Sequence, residues 1–137
     1  MFAVVFCILF GVYGLNACVS MVVSRENAAL VGVVASLIIA TMNGFGPNLV
    51  QGREWGLIVL QDLSYSRWAN ELWLHVETAP YRGLFLVEEV TAASFGYTLN
   101  RPITDIVVML LLGIALRAVA FGLMLRLASN ASKRMGR

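Results

Sequence analysis

Charge is the scarce commodity of this chain: 13% of its 137 residues are Asp, Glu, Lys or Arg, against 59% hydrophobic. That balance lies outside the range of soluble globular domains. The formal net charge of +2 comes without any Lys/Arg run interleaved with aromatics, so a nucleic-acid partner has no electrostatic footprint here. Histidine occurs once, as His75, and no nucleophile and orienting group accompany it in a recognisable pattern. No GxxxxGK[ST] loop occurs, so these residues do not hold ATP through a P-loop. The two cysteines, Cys7 and Cys18, fall in one apolar run. On a single helix they stand about 16 Å apart, too far for a disulfide. No catalytic, cofactor-binding or metal-ligating residue is assigned.

What fills the chain instead is long apolar runs, and the mean hydropathy of +0.78 points to a membrane protein. Residues 1–24 form the first expected transmembrane helix. The run lacks a basic segment ahead of it and exceeds the apolar core of a signal peptide, so it reads as a span. Asn16 interrupts it and needs a partner on another helix. The polar turn Ser24-Arg25-Glu26-Asn27 leads to a second expected span, residues 28–47. Gly44-Phe45-Gly46-Pro47-Asn48 should stop that helix, since proline disfavours helix before it and glycine loosens the backbone.

Residues 48–102 are expected to form an exterior loop with two short helices. In the first, LSYSRWANELWLHVET, the apolar residues Tyr65, Trp68, Ala69, Leu72, Trp73 and Val76 follow the spacing of one helix face. Tyr65, Trp68 and Trp73 suit a helix at the water–lipid boundary, where aromatic rings are enriched. On the polar side, with His75, Arg67 and Glu71 are spaced for an i,i+4 ion pair. Pro80-Tyr81-Arg82-Gly83 reads as a turn. Leu84, Val87, Thr91, Ser94 and Phe95 then mark the second short helix, which Gly96 can end in the left-handed conformation.

The third expected span covers residues 103–127, with Pro102 in its first turn and a cytoplasmic tail at 128–137. Ala115, Ala118 and Gly122 form a small-residue stripe suited to close helix approach. Arg117 falls near mid-membrane, where a cation needs a protein partner or water; by depth, Asn16 is the nearest candidate. Arg126 at the end of the span and Lys133, Arg134 and Arg137 beyond it place the tail in the cytoplasm and the long loop outside. The expected fold is an all-α, multi-pass membrane protein of three transmembrane helices with short interfacial helices in the exterior loop.

Four ordered motifs then carry a resemblance: Tyr-x-x-Trp-Ala-x-Glu at Tyr65, Trp68, Ala69 and Glu71; Tyr-x-Gly at Tyr81 and Gly83; Gly-Tyr-x-Leu at Gly96, Tyr97 and Leu99; and Arg-x-x-Ala-Phe at Arg117, Ala120 and Phe121. In order and spacing the chain resembles the C-terminal half of the membrane domain of G-type (White/Brown-complex) ABC transporters, and a plant and algal subgroup most closely. The resemblance implies the last three of six spans in a half-transporter that works as a homo- or heterodimer. It also implies export of lipids, sterols or other amphipathic compounds, driven by ATP-Mg on a nucleotide-binding domain. By position, Val33, Leu37, Ala40 and Thr41 would line the transport cavity and Phe45 would fall at an apolar plug. Ordinary helix packing is the competing account of those five residues.

The nucleotide-binding domain and three further spans that the family implies have no counterpart in these residues. The chain is therefore expected to act with a missing transporter half, in contact with membrane lipid. A small structural membrane protein with no transport role is the alternative.

Overall fold

The computed structural model describes residues 2–81 and 86–135. Seven α-helices run through them: α1 Phe2–Val22, α2 Arg25–Thr41, α3 Leu49–Glu54, α4 Ile58–Leu63, α5 Tyr65–Thr78, α6 Val87–Phe95 and α7 Pro102–Met135. A 3-10 turn at Ala79–Tyr81 follows α5. Two helices are long and apolar enough to cross a membrane, Phe2–Val22 and Pro102–Ser129. At 17 residues α2 is about 26 Å long, short of a bilayer core of roughly 30 Å.

Helices α1 and α7 share the most extensive contact in the molecule. The buried face of α1 is Val4, Cys7, Gly11 and Gly14, a 3–4 spacing that keeps one stripe turned inward. Gly14 lets the backbones close up, because a Cβ there would lie 3.0 Å from Cβ of Leu116. On α7 the ring of Phe10 occupies the space a Cβ on Gly113 would need. The inward face of α7 carries Asp105, Met109, Gly113 and Ala120. The stripe of small residues takes no part in this contact. Ala115 and Ala118 are exposed, and Gly122 has open space beside it. The rotation of α7 follows its polar residues, since Asp105 and Arg117 must face protein, and the small residues are left outside.

Helix α5 lies against α7, α1 and α2. Ala69 meets Cys7 and Met109 in the core cluster, and Trp68 packs on its edge. The helix is buried on both flanks, with Tyr65, Ala69, Glu71 and Leu72 all inside. The expected polar side is therefore partly interior. Arg67 pairs with Asp62 at the end of α4, not with Glu71 as its spacing suggested. Glu71 instead accepts the Thr98 amide at 2.7 Å.

The loop expected to hold two short helices holds four, because α3 and α4 precede the pair read from periodicity. Six-residue helices show too few turns to reveal a repeat. They are fixed by tertiary bonds: Asn48 caps α3 by accepting from Gln51 N at 2.7 Å, and Gln61, fully buried in α4, donates to the Pro47 carbonyl at 2.9 Å. Further boundaries also move. Helix α2 begins at Arg25 and ends at Thr41, inside the expected 28–47 limits at its C-terminal end, and α7 continues through the expected tail to Met135. Gly96 caps α6 at φ 79°, as its position suggested. The readings of Arg82, Gly83 and Leu84, and of the Val87 side chain, lie outside the described residues.

Helix α2 stops where Gly44 takes φ 92°, and any Cβ there would sit 2.8 Å from the Tyr97 hydroxyl. That hydroxyl donates to the Asn43 carbonyl at 2.6 Å, tying the α6–α7 connection to the end of α2. Gly44→Ala should therefore destabilise the chain by more than the about 1–2 kcal/mol of left-handed strain alone. Tyr97→Phe should cost about 1 kcal/mol, one hydrogen bond. Thermal unfolding in detergent measures both, and an equal loss in the two variants would contradict this account.

Candidate functional site

A cavity of about 490 Å³ opens between α1, α2 and α5. Its α1 wall is Ile8, Val12 and Asn16. From α2 come Val33, Ser36, Leu37 and Ala40, and from α5 come Tyr65, Ser66, Ala69 and Asn70. The lining is mostly apolar and holds no charged side chain, so it suits an apolar body with few hydrogen-bonding groups.

Each wall is held by a bond or close contact that sequence spacing did not reveal. Helix α5 is anchored to α2 where the Ile39 carbonyl lies 3.0 Å from Ser64 Oγ and 2.7 Å from Ser66 Oγ. That carbonyl also accepts the Met42 amide at 3.1 Å, so the hydroxyls add to the C-terminal cap of α2. Tyr65 stands against Gly11 of α1, where a Cβ would come within 3.2 Å of its ring. Asn16 fits over Gly32 of α2, whose missing side chain makes the room. Ser36 places its buried Oγ beside the Tyr65 hydroxyl. Burial pushes the Tyr65 hydroxyl above its ordinary pKa, and Ser36 offsets this in part.

The residues singled out from sequence are distributed as follows. Val33, Leu37 and Ala40 lie on the cavity wall, while Thr41 and Phe45 lie beyond it. Thr41 turns its hydroxyl back to the Ile38 carbonyl at 2.7 Å. Phe45 packs edge-on to Phe95 and Tyr97, with ring centroids 4.9 and 6.0 Å away. Of the three aromatics expected at a boundary, Tyr65 is buried, Trp68 is half-buried with its indole N–H on the Asp62 carbonyl at 2.8 Å, and Trp73 is exposed. The ring Nδ1 of His75 contacts the Leu99 carbonyl, which gives the imidazole a structural position. Among the described residues no group of three His, Cys, Asp or Glu side chains could hold a metal ion.

Arg117 does not meet Asn16. Its Nη1 donates to the Phe10 carbonyl at 2.7 Å and to Gly113 at 3.2 Å, and the guanidinium lies 3.5 Å from the centroid of the Phe10 ring. Depth along the helix matched Arg117 with Asn16, but rotation about the axis separates them. Asn16 faces α2, and Arg117 faces the preceding turns of α1. A backbone carbonyl leaves no mark in a sequence, so this partner was not legible there.

The model of the ABC-2 type transporter family matches residues 1–130. The chain is a member of that family. No curated protein and no solved structure shows a significant match. An ABC-2 domain is the membrane-spanning permease part of a transporter, not itself catalytic, and it works with a nucleotide-binding domain among membrane lipids.

The Arg117 seam yields a test. Arg117→Lys should be less destabilising than Arg117→Leu, since an ammonium can donate to the Phe10 carbonyl but lacks the planar face for its ring. Combined with Asn16→Leu, the Arg117→Leu loss should add within about 0.5 kcal/mol, as for sites that share no partner. A larger coupling energy in detergent unfolding would restore an Asn16–Arg117 contact.

Proposed function

We propose that the chain forms part of the membrane domain of a G-type ABC exporter, of the plant and algal subgroup. Its cargo would be lipids, sterols or other amphipathic compounds. In this reading α1 and α7 cross the bilayer, α2 makes a third pass although its helix alone is shorter than the core, α3 to α6 form an exterior cap, and the end of α7 is cytoplasmic. Two such membrane domains pair, as homo- or heterodimer. These residues carry no phosphate-binding loop, so ATP-Mg is assigned to the nucleotide-binding domain and no step is routed through it here.

The observation that carries the reading is the uncharged, largely apolar cavity beside α2 in a chain of this family. Val33, Leu37 and Ala40 are the residues on which cargo would slide, and Phe45 with Phe95 and Tyr97 is the candidate plug at the cap end of α2. An apolar wall of this kind takes up the tail of an amphiphile without a hydrogen bond to fix its register. That suits passage better than tight retention.

In the transporter assembled with its nucleotide-binding domain, Leu37→Trp and Ala40→Trp should fill the cavity. ATP-dependent export of a fluorescent lipid should then fall at least about tenfold, the equivalent of about 1.4 kcal/mol, while membrane insertion is kept. Unchanged export in both variants would remove the cavity from the transport path.

Topology has its own test. The sequon Asn130-Ala131-Ser132 should stay unglycosylated, and a sequon engineered at Thr78 should be modified. Glycan on Asn130 would invert the assigned orientation.

A further inference from the structure

Two carboxylates are enclosed where the cap meets the last helix. Glu71 of α5 is 3% exposed and Asp105 of α7 is 2% exposed. Oε1 of Glu71 accepts the Thr98 amide at 2.7 Å, and Oε2 is buried with no partner.

The groups around Glu71 come from several elements. Arg67 faces it from its own helix, Arg101 from the residue before α7, Asp105 from α7 and Tyr97 from the α6–α7 connection. Arg67 is already paired with Asp62 of α4 and also faces Arg53 of α3. Tyr97 has its hydroxyl on the Asn43 carbonyl, and burial, then the Glu71 charge, pushes its pKa up to about 12. His75, one turn along α5, contacts the Leu99 carbonyl. On the other side, α1 contributes the Cys7 thiol beside Ala69, and α2 places no charged side chain here among the described residues.

The charges do not balance. Of the two guanidiniums that face Glu71, Arg67 is already engaged by Asp62 and Arg101 is exposed to solvent, and two carboxylates in one enclosed place do not both ionise cheaply. Asp105 stands in the first turn of α7, where the helix dipole favours an anion. Glu71 does not stand at a helix N-terminus; one of its oxygens takes the Thr98 amide and the other, buried, lacks any donor.

We propose that Glu71 and Asp105 form a buried proton-binding site, with the proton carried on Glu71, and that this proton latches the cap helix α5 to α7. Burial pushes the Glu71 carboxyl above its ordinary range, against smaller lowering effects of the Thr98 bond, Arg67 and Arg101. A group that holds its proton more tightly when folded stabilises the fold below its ordinary pKa. That contribution is lost as the pH rises through the raised value. Ionisation then sets two anions against each other across the α5–α7 contact, and the segment from Gly96 to Leu99 loosens with them.

The test is infrared difference spectroscopy of the full chain in lipid nanodiscs, with hydrogen exchange at the Thr98 amide measured over the same pH range. Above the ordinary carboxylate range, a protonated-carboxyl C=O band should be present. It should vanish in Glu71→Gln and persist in Asp105→Asn. Exchange at Thr98, corrected for its intrinsic pH dependence, should accelerate with rising pH in the native chain and be flat in Glu71→Gln. No such band, a band that survives Glu71→Gln, or a Thr98 response common to both chains would overturn the site. Should Glu71→Gln not fold, the native chain alone decides. Loss of the band and acceleration at Thr98 must share one midpoint, and separate midpoints reject the latch.

Discussion

Arg117 reaches across to a main-chain carbonyl of α1 and lies on the ring of the same residue, Phe10. Most of the architecture depends on that contact. A guanidinium in the middle of an apolar helix is expensive unless protein or water receives it, so it dictates which side of α7 turns inward. Once that side is set, Gly113 comes beneath Phe10 and Leu116 against Gly14. Asp105 and Met109 then meet α5 at the other end of the same face, where Met109 joins Cys7 and Ala69. Cys18 adds a weak thiol donor to the Leu116 carbonyl at 3.0 Å. The seam is thus polar at intervals and close-packed between them, which suits helices that gain no hydrophobic drive from meeting in lipid.

The motif residues turn out to be the ones that connect elements distant in the chain. Tyr65 packs on α1, Ala69 enters the core, and Glu71 takes the Thr98 amide. Gly96 ends α6, Tyr97 reaches back to Asn43, and the Leu99 carbonyl meets His75. Arg117 and Ala120 face inward on α7, whereas Phe121 is exposed. In this chain these residues mark joints of the fold and not a chemical site. It is consistent with a permease, whose task is to hold a shaped path and move it.

Within that frame the cavity and the carboxylate pair occupy different faces of α5. One face carries Tyr65, Ser66 and Ala69 to an uncharged space beside α2. The other carries Glu71 to Asp105 of α7. Helix α5 is therefore the element through which a change at the cap–α7 contact would reach the cavity wall. The two serines at its start fix it to the end of α2, so the helix is held at that end by neutral hydrogen bonds.

Composition and run length by themselves determined that this is a helical membrane protein, because apolar spans of bilayer length need no tertiary knowledge to recognise. Local chemistry also fixed the stop after α2, the proline start of α7 and the left-handed cap at Gly96, each set by one residue's backbone preference. The tertiary structure decided the rest. Helices α3 and α4 are too short to show a period and exist through bonds such as Gln61 to Pro47. Arg67 chose Asp62 over Glu71, and Arg117 chose a carbonyl over Asn16, because partner choice depends on rotation about a helix axis and on main-chain groups that every residue shares. A sequence gives depth along an axis; only packing gives the angle around it.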